Sequence, residues 1–129
     1  MKRILDTVHG YIMVSDELIK NIIDTPAFQR LRRIEQTSIR SVYPSARHDR
    51  FIHSLGVYHI GSLIVDHLRK EEEANDYWGA TSNNMSVIYN SYLVACLLHD
   101  VGHAPFSHTF EKYYVQKKDL ARKLADEVK

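Results

Sequence analysis

An all-α fold with a short β-hairpin at its N-terminus is the class this sequence predicts, on three observations. Apolar residues recur at helical spacing through most of the chain, as in Leu18, Ile19, Ile22 and Ile23 or in Phe51, Leu55 and Tyr58. Extended character is confined to two short pieces, Ile4 to Leu5 and Tyr11 to Val14, around Asp6-Thr7-Val8-His9-Gly10, where Gly10 supplies the turn. No repeat, low-complexity tract or linker divides the 129 residues, which at 44% hydrophobic and 26% charged have the material for one ordinary core.

Each element has a local reason. Ser15 is a candidate N-cap for a short helix with Leu18, Ile19, Ile22 and Ile23 on one face; Thr25-Pro26 then reads as a second N-cap followed by proline at the first helical position. That second helix turns Phe28, Leu31 and Ile34 inward. Between Gln36 and Asp49 the periodicity fades, and Tyr43-Pro44 predicts an irregular connection. Helical pattern returns from Phe51 to about Leu68. Glu71-Glu72-Glu73, with Asn75, Asp76, Gly79, Ser82, Asn83 and Asn84, is the most polar stretch and reads as a surface loop anchored by Trp78. A helix from about Met85 to Leu98 follows, and Leu120, Leu124 and Val128 predict a last amphipathic helix.

Charge and cysteine content narrow the function classes. A net charge of +1 gives no global reason to expect nucleic acid or an anionic membrane as partner. Cys96, the one cysteine, has no intramolecular disulfide partner and reads as a small buried thiol. No apolar run reaches membrane-spanning length, and Asp6 interrupts the N-terminus before a signal-like region develops, so a cytoplasmic protein is expected.

The chemistry is expected around Ala95 to His108, where an apolar helix ends in His99-Asp100 and breaks at Gly102 and Pro105 while presenting His103 and His108. Imidazole and carboxylate suit a divalent transition metal, and His53 on the preceding helix can join His99 and Asp100 if the two helices pack side by side. The same residues are open to a plainer reading, in which both histidines are core residues bonded to backbone and Asp100 ends a helix. Six arginines lie between Arg30 and Arg50. Arg30, Arg33 and Arg40 read as a solvated face, whereas Arg50, three residues before His53, can point into the same site and hold phosphate. His103 and His108 are proton-handling candidates, with helix capping as the alternative.

Arg50-Phe51-Ile52-His53-Ser54-Leu55-Gly56 and Leu97-Leu98-His99-Asp100-Val101-Gly102-His103-Ala104-Pro105-Phe106-Ser107-His108 together resemble the HD-domain metal-dependent phosphohydrolases, in the deoxynucleoside triphosphate triphosphohydrolase branch. Asp6 to Ile12 and Ile23 to Arg32 extend the similarity, which runs from about Ile4 to Glu111. The resemblance implies an HD-domain-like helical bundle, with residues 1–129 forming one domain incomplete on its C-terminal side. It implies hydrolysis of a deoxynucleoside triphosphate to deoxynucleoside and triphosphate with a divalent metal ion (Mn, Fe, Zn, Ni or Mg) on His53, His99 and Asp100.

By position, Arg50 is then a phosphate contact, Gln36 a sugar contact, His108 the general acid and His103 a phosphate-stabilising neighbour. Asp24, Gln29 and Arg32 match a segment that binds a regulatory guanine nucleotide. The implied partners are a nucleotide substrate and either further copies of the chain or a C-terminal partner chain. Two departures stand out. Thr37 replaces the family's leucine, and the family's later aspartate has only Asp119 and Asp126 as counterparts, neither in family context. Weak or no hydrolase activity of the isolated chain is therefore expected, and the alternative reading is a catalytically silent HD-like module that binds nucleotide or protein.

Overall fold

The computed structural model of the chain describes residues 1–37, 42–75 and 83–103. Strands β1 (Lys2–Asp6) and β2 (Gly10–Val14) pair antiparallel, with Ile4 opposite Ile12 and Asp6 opposite Gly10. The Asp6 carboxylate closes the turn by accepting from the backbone N–H groups of Val8 (3.0 Å) and His9 (2.8 Å), and Gly10 takes the positive φ of 73° that a side chain would resist. Alternation along β2 turns Ile12 and Val14 into the core and leaves Tyr11 and Met13 exposed.

Both expected caps form. Ser15 Oγ accepts from Leu18 N, and helix α1 (Asp16–Leu18) passes into a π-helical turn over Ile19–Ile23 that buries Ile19 and Ile23. Thr25 Oγ1 accepts from Phe28 N, Pro26 opens α2 (Pro26–Gln29), and the chain tightens into a 3-10 turn over Arg30–Arg33. Phe28, Leu31 and Ile34 are buried as expected, although Ile34 has already left the helix for extended backbone. The two ends of the connection toward α3 meet: Glu35 bridges Asp49, and Arg50 N donates to Ile34 O.

Helix α3 (Arg50–Asn75) starts where the Asp49 carboxylate accepts from Ile52 N at 2.8 Å. It continues through Glu71-Glu72-Glu73, which corrects the expected loop there. Lysine and glutamate are good helix formers, so a polar run ends a helix only if a breaker ends it. Here Glu72 accepts from the Tyr89 hydroxyl and Arg69 lies over the Tyr89 ring, tying the polar end to α4 (Asn83–Leu98). Trp78 and the expected last helix lie outside the described residues.

α3 and α4 pack closely because Gly61 faces Cys96: a Cβ on Gly61 would lie 2.9 Å from the Cys96 sulfur. Cys96 is a buried free thiol, as expected. The core joins Ile12 and Val14 of the hairpin to Ile19, Ile23, Phe28, Leu31 and Ile34, then to Phe51, Leu55 and Tyr58 of α3 and Leu97 of α4. Phe28 meets Phe51 edge to face at 5.4 Å. The ends of α3 and α4 that carry the histidines are thereby fixed against the N-terminal segment. No helix among the described residues is long and apolar enough to cross a membrane.

Candidate metal centre

His53 lies on the first turn of α3, and His99 and Asp100 directly follow α4, so the packing that buries Leu55 and Leu97 brings the three side chains together. One ligand atom from each lies within 4.8 Å of the other two. The two imidazole Nε2 atoms are 3.3 Å apart, and Asp100 oxygens lie 3.6 Å from His99 Nε2 and 3.8 Å from His53 Nε2.

The donors fit a divalent ion. Metal bonds of about 2.0–2.2 Å in tetrahedral geometry set neighbouring ligand atoms roughly 3.3 Å apart. The tautomer is right as well: His99 Nδ1 lies 2.9 Å from the Cys96 carbonyl, an acceptor only, so Nδ1 carries the proton and Nε2 keeps its lone pair toward His53. Burial holds His53 below its ordinary 6.5; the Asp100 charge opposes that shift, while His99, Arg50 and His48 add to it. The shift favours the neutral imidazole, the form that binds metal.

Asp100 is buried and its carboxylate is shared. Oδ2 accepts from Arg50 Nη1 at 2.6 Å, an ion pair with both side chains less than a tenth exposed, and Oδ1 lies 3.5 Å from His103 Nε2. Arg50 thus stands inside the site, with a bond to a candidate metal ligand. Gln36 is drawn beside the start of α3 by the bond from its backbone N–H to His48 O, and its side-chain Oε1 is buried with no hydrogen-bond partner among the described residues. His108 and Arg40 lie outside the described residues.

Asp24, Gln29 and Arg32 are placed nearer one another than their spacing implied. Gln29 reaches back across the proline break to donate to Ile23 O, beside the exposed Asp24, and accepts from Arg32 Nε at 2.9 Å. Arg32 also stacks on Phe51, its guanidinium carbon 3.6 Å from the ring centroid.

Arg30 is exposed, as expected of a solvated face, and it also makes a contact across the molecule. Its Nη2 donates to the carbonyls of Val101 (2.6 Å) and His103 (2.8 Å), across the turn that follows Asp100. Backbone acceptors are available at every residue, so no sequence pattern announces such a contact. Asp6 and His9 form a second pair, with Nδ1 of the imidazole 2.8 Å from the carboxylate. His9 shares a pocket of about 370 Å³ with His53, Gly56, Val57, Ile60, Gly61 and Tyr92.

Comparison with known proteins adds the lineage. The HD domain family model matches residues 50–129. The protein YwfO of Bacillus subtilis (strain 168), itself uncharacterized, is 42% identical over 91% of this chain and 25% of its own length. The deoxynucleoside triphosphate triphosphohydrolase SAMHD1 of Homo sapiens is 39% identical over 89% of this chain and 17% of its own length. A crystal structure of a phosphohydrolase from Bacteroides thetaiotaomicron superposes with a TM-score of 0.75 at 33% identity, covering 99% of this chain and 32% of that one. The chain spans a quarter or less of the length of these two relatives.

Proposed function

This chain belongs to the HD domain family, and on that premise we propose that it is the metal-binding part of a phosphohydrolase that converts deoxynucleoside triphosphates to deoxynucleoside and triphosphate. The observation that carries the proposal is the convergence of His53, His99 and Asp100, with the His99 tautomer fixed by the Cys96 carbonyl. A divalent ion bound there would supply Lewis acidity to the phosphoryl group and lower the pKa of a water.

The chain's own residues do the rest. Arg50 aims the Asp100 carboxylate by a buried, charge-assisted bond. Gln36, with its buried Oε1 lacking a partner among the described residues, is suited to accept from a sugar hydroxyl. In the reaction, water oxygen adds to the α-phosphorus and the bond to the 5′-oxygen breaks. The 5′-oxygen takes a proton, in this proposal from His108, and departs as the deoxynucleoside alcohol; His103, beside Asp100, offsets charge on the phosphoryl oxygens. A further ligand comes from outside the described residues, in the same chain or a partner subunit.

The test is metal analysis of the purified chain alongside chromatography of products from a deoxynucleoside triphosphate. The expected result is metal uptake that Asp100→Ala abolishes, with any turnover giving deoxynucleoside and triphosphate in equal amounts. Diphosphate and orthophosphate as products would move the cleaved bond and overturn the substrate chemistry. Metal-free protein after incubation with each of Mn, Fe, Zn, Ni and Mg would remove the whole reading.

A further inference from the structure

We infer that Arg30 is a positioning residue for the metal centre, holding the backbone turn that sets Asp100 and His103 relative to His53 and His99. The inference rests on the metal reading proposed above and goes beyond it, because Arg30 touches none of the three candidate ligands' side chains in the contacts described.

The geometry has three parts. One guanidinium nitrogen, Nη2, donates to Val101 O and His103 O, residues more than seventy positions away in the chain. Those two carbonyls flank Gly102, where a Cβ would meet nothing within 4 Å among the described residues, so on the inner side the turn is held by Val101, which packs against the core. The turn's own bonds are Val101 N to Leu98 O and His103 N to Asp100 O, each at 3.0 Å, and the Arg30 contacts add a third anchor from another element. Charged donors on carbonyls just past a helix C-terminus are favourable by geometry and by dipole.

The anchor is itself held. Arg30 lies between Gln29, bonded to Ile23 O and Arg32, and Leu31, which is fully buried; Arg32 stacks on Phe51 of α3. Two arginines from different segments therefore divide the work at one turn: Arg50 takes the Asp100 carboxylate and Arg30 takes the backbone that follows it. Outer contacts of this kind orient metal ligands.

Charge and position predict opposite signs. A nearby cation repels a metal ion, so if Arg30 acted only through its charge, removing it would tighten metal binding. If it positions the turn, removing it weakens binding by about 10- to 100-fold, the usual cost of losing an outer contact. The experiment uses the 129-residue chain, stripped with chelator and titrated with Co(II) by calorimetry and by visible absorption, whose ligand-field bands report coordination geometry. Arg30→Met should bind Co(II) in that weaker range with altered bands. Arg30→Lys, which keeps the charge but lacks the planar fork, should fall between Arg30→Met and wild type, and exposed Arg33→Met should match wild type.

Affinity equal to or tighter than wild type in folded Arg30→Met, with unchanged bands, overturns the inference and leaves the metal reading intact. If Arg30→Met does not fold, wild-type affinity and bands in Arg30→Lys overturn it instead, and weaker affinity supports it. Failure of wild type to bind Co(II) removes the metal reading and this inference together.

Discussion

Among the described residues histidine meets aspartate twice, in the hairpin turn and at the end of α4, and the two clusters have opposite chemical character. In the hairpin, Asp6 Oδ2 accepts from two backbone N–H groups and lies against His9 Nδ1, so its acceptor capacity is met by short local contacts. At α4, the Asp100 carboxylate has one strong partner, Arg50, while imidazole nitrogens of His53, His99 and His103 stand 3.5 to 3.8 Å away, too far for a hydrogen bond. Residue type does not separate the clusters. What does is whether ligand atoms from three side chains converge on one small volume, which is the arrangement a cation can use.

The largest expected effect breaks the α4 cluster outright. Asp100→Ala should abolish Co(II) binding and, in metal-free protein, cost about 3–5 kcal/mol in urea unfolding, because it removes one partner of a buried ion pair. Asp6→Ala should leave Co(II) affinity within about twofold and cost about 1–3 kcal/mol, the worth of its few part-buried hydrogen bonds. Comparable losses of stability in both variants would show that burial of Arg50 has been overvalued.

A smaller effect separates the clusters by pH. Asp6 is held below its ordinary 3.8 chiefly by the His9 backbone N–H, with the His9 ring and Val8 N–H adding to this and burial opposing it. Its contribution is present above the unfolded-state value and disappears as pH falls through the lower folded value. His53 is also depressed, by burial first, but for a histidine that means the unfolded chain binds the extra proton. Metal-free stability should therefore decline as pH drops below about 6.5 toward the folded value, and His53→Gln should flatten that limb only. Asp6→Asn should flatten only the limb below about pH 4. Chemical denaturation across that range, with chelator present, checks both; a His53→Gln curve parallel to wild type near neutral pH would sink the assignment.

Some of this was legible in the residues and some was not, for physical reasons. Caps act over three residues, so Ser15 and Thr25-Pro26 announced their helices and the structure has both. The π-helical turn at Ile19–Ile23 has no such local signal, since it keeps the same apolar residues facing inward. Glu71 to Glu73 misled because polarity was read as a break, whereas the helix is held there by Tyr89, seventeen positions beyond Glu72. Spacing alone left His53, His99 and Asp100 open between metal and core; their grouping followed from the resemblance, and the geometry brings them together. Arg30 is exposed as expected, but its bonds to backbone carbonyls on a distant turn have no sequence signal.

The smallest expected effect asks whether the two clusters are independent. Gly56, one turn beyond His53 on α3, is where the His9 ring rests: a Cβ there would lie 3.0 Å from His9 Cε1 and 3.6 Å from Nδ1. Gly56→Ala improves helix propensity by about 1 kcal/mol. It also pushes the ring by a few tenths of an ångström against the Asp6 contact at 2.8 Å. These terms oppose each other, so thermal stability should change by less than about 1 kcal/mol, while the His9 ring nitrogens shift in a nitrogen-15 correlation spectrum. His53 is reached only through the helix backbone, which the substitution leaves in place, so Co(II) affinity should stay within about twofold. A tenfold loss of Co(II) affinity in folded Gly56→Ala would mean that the hairpin imidazole bears on the metal centre across the pocket it shares with His53, and the separation between the clusters would fail there.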